Sequence, residues 1–367
     1  NVLERQILWA RTLDALGRPK EEVLPNKITT DYEFDPAGRL EYLAHELTSG
    51  KQLGGENLSY DAAGNITTQE LKLGGFDRDA GIVENNFSYD KTDQLISTSG
   101  GLNFSYDPAG NRQGEAIQVN ANNQLLEDAN FSYAYDKRGN LIEKRPKSPE
   151  GKVYFYEWNL ENEKTKTTIK RQDGTPLKEV TYRYDGLGRR IEKTITNFQE
   201  PQKSRTKRYV YDGEDILLEL NKQNTIKAVY VHGPGTDNPI AMVRDTNNNG
   251  NFERDEVFTY TKDHLGSVRE LTDFDQDLIQ RYRYSPFGKT TLEKDDDQRT
   301  KPLQNPYGFT GREWDQSTGE NYHRARYYNP STGRFLSKDP TGFDGEDSNL
   351  YRYVKNNREL ATCTTSD

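Results

Sequence analysis

The chain has 367 residues, a formal net charge of −9 at neutral pH and 32% hydrophobic residues, with a mean hydropathy of −1.04. The acidic balance argues against a nucleic-acid partner, which needs a basic patch, and no apolar run approaches the roughly 18 residues of a membrane-spanning helix. So low an apolar content would suit disorder, but 23 Tyr argue for an ordered, thin-walled chain with sheets wet on at least one side, since tyrosine packs its ring and keeps its hydroxyl hydrated.

Asn1 opens inside a repeat with no signal peptide ahead of it, so the chain reads as a piece of a longer polypeptide. One signature recurs from there: aromatic-x-aromatic-Asp-x-x-Gly, then a polar and an apolar residue. It stands at Tyr32 to Leu40, Tyr60 to Ile66, Tyr106 to Asn111, Tyr135 to Leu141 and Tyr184 to Arg189, with weaker copies at Asp14, Tyr89-Asp90, Trp158-Asn159 and Tyr211-Asp212. A loose period in the twenties marks a repeat architecture. In each unit the Asp accepts an amide two residues on, Pro36 or Pro108 presets φ, and the Gly supplies the positive φ of a bulged hairpin. Alternating flanks such as Leu141-Ile142-Glu143-Lys144 read as half-buried strands. No helix of any length is expected. Residues 145–152 and 293–304 read as exposed loops, and Gly233-Pro234-Gly235 as a turn.

Asp245-Thr246-Asn247-Asn248-Asn249-Gly250-Asn251-Phe252-Glu253-Arg254-Asp255-Glu256 fits the calcium loop D-x-[DN]-x-[DN]-G-x5-E at every defined position. Ca²⁺ takes six to eight oxygens, here expected from Asp245, Asn247, Asn249, the Asn251 carbonyl and a bidentate Glu256. Strand-like flanks make this a calcium hairpin without EF-hand helices. The alternative is a plain Asn/Gly turn. Two Asn in place of Asp lower the ligand charge and place affinity near the weak range of about 10⁻⁴–10⁻³ M.

Six ordered blocks follow: Asp263-His264-Leu265-Gly266-Ser267-Val268-Arg269, Tyr282 to Gly288, Phe309 to Glu313, Tyr322 to Pro330, Gly333 to Pro340 and Asn349 to Tyr353. In this order they resemble the RHS repeat-associated core domain, and the Tyr-Asp…Gly signature upstream resembles the YD repeat. The resemblance implies an all-β fold: a β-hairpin ribbon over residues 1–262 coiling into a hollow shell, closed by a core domain at 263–357, with a divergent tail at 358–367. It also implies a secreted or cell-surface polypeptide that encapsulates a C-terminal toxin or other cargo. Rival readings are an adhesive scaffold binding a neighbouring cell-surface glycan or protein, and an intramolecular aspartyl autoprotease.

For the autoprotease, the resemblance assigns Asp339 in Asp339-Pro340-Thr341-Gly342 as one catalytic carboxylate, with Asn349-Leu350-Tyr351-Arg352-Tyr353 as the middle motif. The second Asp-Pro-x-Gly-Leu does not occur in residues 341–367, and Asn356-Asn357-Arg358 replaces the family's Asn-Asn-Pro. Asp339 otherwise reads as an Asp-Pro turn. His45, His232, His264 and His323 lack metal-ligand spacing and read as structural. Cys363 reads as a lone thiol near a chain end, which excludes an internal disulfide.

Overall fold

The computed structural model describes residues 9–74, 81–294, 302–345 and 347–357. The tail at 358–367, with Cys363, and most of the 293–304 loop lie outside the described residues. Among the described residues every strand pairing is antiparallel and helix is confined to 3-10 turns of three or four residues. The expected all-β ribbon of hairpins is what the chain forms.

The chain divides into two compact units that interleave along the sequence: 1–103 with 227–312, and 104–226 with 313–367. Residues 263–312 therefore pack within the first unit, and 313–357 within the second.

In the first unit, strands from Ala10–Leu13 to Leu95–Thr98 pair in chain order, as do those from Ile226–His232 to Thr290–Lys294. The second set departs from the expectation of sheets with a wet face. Pro239–Arg244 and Val268–Thr272 are buried at every residue. Leu24, Ile28 and Leu53 pack with Ile240 and Ala241, and the Asn26 amide donates to Thr272 Oγ1. Tyr307 lies edge-on to Tyr230 and Tyr260, while Phe309 packs on Tyr284. At the described end of the loop read as exposed, Pro302 and Gln304 are exposed and Leu303 is not. Leu303 is buried and its amide donates to Gln280 Oε1. Within 145–152, Pro146 is the buried end of one strand and Lys152 opens the next, which leaves a turn at 147–151.

In the second unit ten strands, Gln118–Val119 to Asp215–Leu220, run in chain order. A four-stranded sheet, Glu313–Asp315, Glu320–His323, Arg326–Asn329 and Arg334–Phe335, accompanies them. Tyr133, Leu141, Tyr156, Val180, Tyr182 and Ile195 from the first sheet share a core with Tyr322, Tyr327 and Leu336.

The repeat signature is built as its residues dictate. Oδ1 of Asp61, Asp107, Asp136 and Asp185 accepts the amides two and four residues on. The polar residue after the glycine joins one turn to the next. Asn140 Nδ2 donates to Asp136 Oδ2 and to Asn162 Oδ1, and Asn65 does the same between Asp61 and Asp93. Several tyrosines that precede a turn reach back one repeat. Tyr60 donates to the Leu40 carbonyl, Tyr89 to Ile66, Tyr211 to Arg190 and Tyr284 to Val268. In each case the acceptor lies five residues after the preceding turn's Asp. At Asp212 the weak copy becomes a two-residue hairpin, with Asp212 opposite Asp215.

Candidate functional site: the core strands and the acidic turn

The four-stranded sheet meets the repeat strands of its unit through buried charge. Lys164 lies on the strand Lys164–Arg171, and Arg190 and Lys193 on Arg190–Asn197; all three are buried. Each faces a carboxylate of the core strands: Lys164 bonds Glu320, Arg190 Nη2 lies 2.5 Å from Glu313 Oε2, and Lys193 Nζ lies 2.5 Å from Asp315 Oδ1. Tyrosines fill the space between. Lys164 Nζ sits 3.5 Å from the Tyr327 ring centre and the Arg190 guanidinium 4.3 Å from that of Tyr322, cation–π contacts strengthened by desolvation. Tyr182 donates to Asp315 Oδ2 at 2.8 Å.

Burial alone would raise the Asp315 carboxyl, but Lys193 and Arg190 hold it well below the usual carboxylate range. Burial brings Lys193 down to about 8 against the pull of Asp315. Breaking one partner of such a pair is costly, because it strands a buried charge. The arrangement fixes which repeat strands the core strands can sit upon.

The segment after these strands is seated on two repeat turns. Asn349 Nδ2 donates to Asn111 Oδ1 at 2.8 Å and to the Ala109 carbonyl at 3.1 Å. Tyr351 donates to the Gly139 carbonyl at 2.8 Å, and Asn356 Nδ2 to that of Gly110 at 2.7 Å. Both glycines have positive φ, 74° and 97°. A Cβ on Gly110 would fall 2.1 Å from Arg352 Nη1, and one on Gly139 would fall 2.6 Å from the Tyr351 hydroxyl and Lys338 Cε. Asn349-x-Tyr351-x-Tyr353 is thus a docking segment, with Tyr353 stacked among His323, Tyr328 and Phe335.

Asp339 stands at the start of this segment. Its Oδ2 lies 2.7 Å from Arg326 Nη2, and its Oδ1 accepts the Thr341 amide at 3.0 Å and hydroxyl at 2.6 Å. Those contacts pin an Asp-Pro turn, and none of them, among the described residues, brings a second carboxylate to it.

The histidines are structural in place. His45 bonds Thr30 and the Lys262 carbonyl, His232 bonds Tyr307, and His264 Nδ1 lies 2.8 Å from Glu56 Oε1. Burial would raise Glu56, yet His264 leads the groups that hold it down to about 2.

The structure brings all five candidate calcium ligands into one turn, between Pro239–Arg244 and Val257–Lys262. Asp245 Oδ2 pairs with Lys227 Nζ at 2.7 Å and accepts the Gly250 amide at 3.3 Å. Asn247 Oδ1 accepts the Asn249 amide and Asn249 Oδ1 the Asn251 amide. Buried Glu256 accepts the amides of Thr246, Asn247 and Glu253. Lys227, 18 residues upstream, escaped sequence reading; only the register of Ala228 opposite Arg244 places it there.

Residues 23–359 match the Teneurin YD-shell family. Over 216 residues, or 58% of the chain, the sequence is 31% identical to the tRNA3(Ser)-specific nuclease WapA of Bacillus spizizenii. Over 230 residues, or 59%, it is 28% identical to the double-stranded DNA deaminase toxin A of Burkholderia cenocepacia. These matches span only 8% and 16% of those proteins' lengths. The fold resembles the crystal structure of TcdB2-TccC3 with a TM-score of 0.68 at 22% identity, over 95% of this chain and 19% of that one. Among the described residues no helix is long and apolar enough to cross a membrane. With its Asp-x-x-Gly turns, reaching tyrosines and seated core strands, the chain belongs to the teneurin YD-shell family.

Proposed function

We propose that this chain is a length of wall from a secreted or surface-displayed polymorphic-toxin polypeptide whose YD-repeat shell encloses a C-terminal toxin. One observation carries the reading. The portion shared with the relatives is the repeat-and-core ribbon, while their names give different chemistries, a tRNA nuclease and a DNA deaminase. A part common to proteins of unlike activity is the container rather than the reagent. The likeness to TcdB2-TccC3 over 95% of the chain supports a hollow, coiled ribbon. The docking of residues 349–356 on the Asp107 and Asp136 turns suits a segment tied to its own wall. The partner is then the cargo of the parent polypeptide.

Limited proteolysis of the parent polypeptide tests this. The region beyond Asn357 is expected to survive a protease that digests the same region expressed alone. Equal digestion rates would overturn the proposal and favour the adhesive scaffold.

A further inference from the structure

We propose that the 245–256 turn binds one calcium ion, with the buried carboxylate of Asp245 as its anchor and Lys227 as a tethered cation that the ion displaces. The Asp245 side chain has no solvent exposure, and its Oδ1 has no hydrogen-bond partner. A buried carboxylate oxygen without a partner is costly, and a cation ligand is what such an oxygen lacks. Its carboxylate faces the loop, for Oδ2 accepts the Gly250 amide across it.

The rest of the turn supplies oxygens at the spacing calcium uses. Asn247 Oδ1 and Asn249 Oδ1 each accept one amide, and an amide oxygen has two lone pairs, so each retains one for a metal. The Asn251 carbonyl stands at the seventh position. Glu256, 1% exposed, stands at the twelfth, where calcium loops place their bidentate carboxylate. Its oxygens accept the Thr246 amide and hydroxyl and the Asn247 and Glu253 amides, and the ion takes the place of some of these donors. Lys227 Nζ touches Asp245 Oδ2 and, at 3.1 Å, Asn248 Oδ1. It answers part of the carboxylate charge with a single positive charge, and a divalent ion on Oδ1 competes with it for that charge. The ammonium therefore tunes the site towards weak, millimolar-range affinity, suited to a chain that meets calcium outside the cell. This inference does not depend on what the shell encloses.

Equilibrium dialysis of the whole chain against radioactive CaCl₂, with excess MgCl₂ present, reads the site directly. One saturable ion per chain is expected, with Kd of about 10⁻⁴–10⁻³ M. Asp245→Asn should weaken binding at least tenfold, and Lys227→Met should tighten it severalfold. Asp275→Asn, at an exposed carboxylate paired with Arg254, should change nothing. If circular dichroism finds Asp245→Asn unfolded, Asn249→Ala, at an exposed position, takes its place with the same expected loss. Absence of saturable binding, or binding indifferent to both turn variants, would overturn the proposal. Loss of binding on Asp275→Asn alone would reveal diffuse acidic attraction and overturn it equally.

Discussion

The indole Nε1 of Trp158 donates to the carbonyl of Leu141 at 2.7 Å. It makes the bond that Tyr184 makes to Lys164 at 2.8 Å one repeat later and Tyr211 makes to Arg190 at 2.9 Å in the next. In these repeats the residue before the turn supplies a ring and a donor, and Trp meets both conditions, whereas Phe34 before the Asp35 turn supplies the ring alone. The bond ties each repeat to its predecessor at the bulge, where register shifts leave the ladder incomplete.

Tyr211→Phe keeps the ring and removes the donor, leaving the Arg190 carbonyl short of a partner in a half-buried setting. A loss of about 1 kcal/mol is expected, with Trp158→Phe similar and Trp158→Tyr smaller. Urea denaturation midpoints at constant slope measure this. Unchanged midpoints for both Phe variants would mean the hydroxyl ladder contributes nothing.

Gly110→Val and Gly139→Val should each destabilise by more than about 1 kcal/mol, from positive φ on a β-branched residue and from the approaching Arg352, Tyr351 and Lys338. Gly174 is a control, with φ of 89° and open space around its Cβ position. Gly174→Val meets the backbone strain alone and should cost less than either. Equal costs at all three would remove the docking contribution, and no cost at any would remove the turn assignment.

How much of this was legible follows from particular residues. The Asp-x-x-Gly turns were plain, because glycine announces positive φ. Asn120 to Asn123 and Asn221 to Asn224 form the same turn with Asn123 and Asn224 at φ of 60° and 65°, and a search keyed on glycine passes over them. The strand Lys164-Thr165-Lys166-Thr167-Thr168-Ile169-Lys170-Arg171 reads as solvated, yet Lys164 is buried on Glu320. Its partner lies 156 residues away, beyond the reach of any local pattern. The same limit hid the full burial of the strands Pro239–Arg244 and Val268–Thr272, since composition counts apolar residues but not what is laid over them. The calcium pattern was legible as spacing; the unpartnered oxygen and Lys227 needed coordinates.

Glu56 predicts an acid limb. It accepts the His264 amide and imidazole and the Gln69 amide group, and its folded value falls from 4.5 to about 2. A carboxylate depressed on folding stabilises fully above its unfolded value and loses that contribution as pH falls through the folded one. The stability difference between the parent and Glu56→Gln should therefore be largest above pH 4.5 and shrink towards pH 2. Denaturation midpoints at pH 7, 4 and 2.5 check this, and a difference that stays constant throughout would contradict the linkage.

The last prediction concerns self-cleavage. An aspartyl protease works through two carboxylates that share a proton, whereas the carboxylate of Asp339 is held by the Arg326 guanidinium and by Thr341. Arg326 is itself fixed, buried with its guanidinium 3.6 Å from the Phe335 ring centre. No Asp-Pro-x-Gly-Leu occurs in residues 341–367 to bring a second carboxylate. Residues 1–367 expressed by themselves are therefore expected to keep one intact mass over days at neutral pH. Asp339→Asn should lower the melting temperature by weakening the 338–342 turn and leave the mass pattern unchanged. Mass spectrometry that finds a new terminus between Asp339 and Asp367, abolished by Asp339→Asn, would make Asp339 a catalytic group after all. The melting shift alone would leave it a turn residue that seats the last segment of the wall.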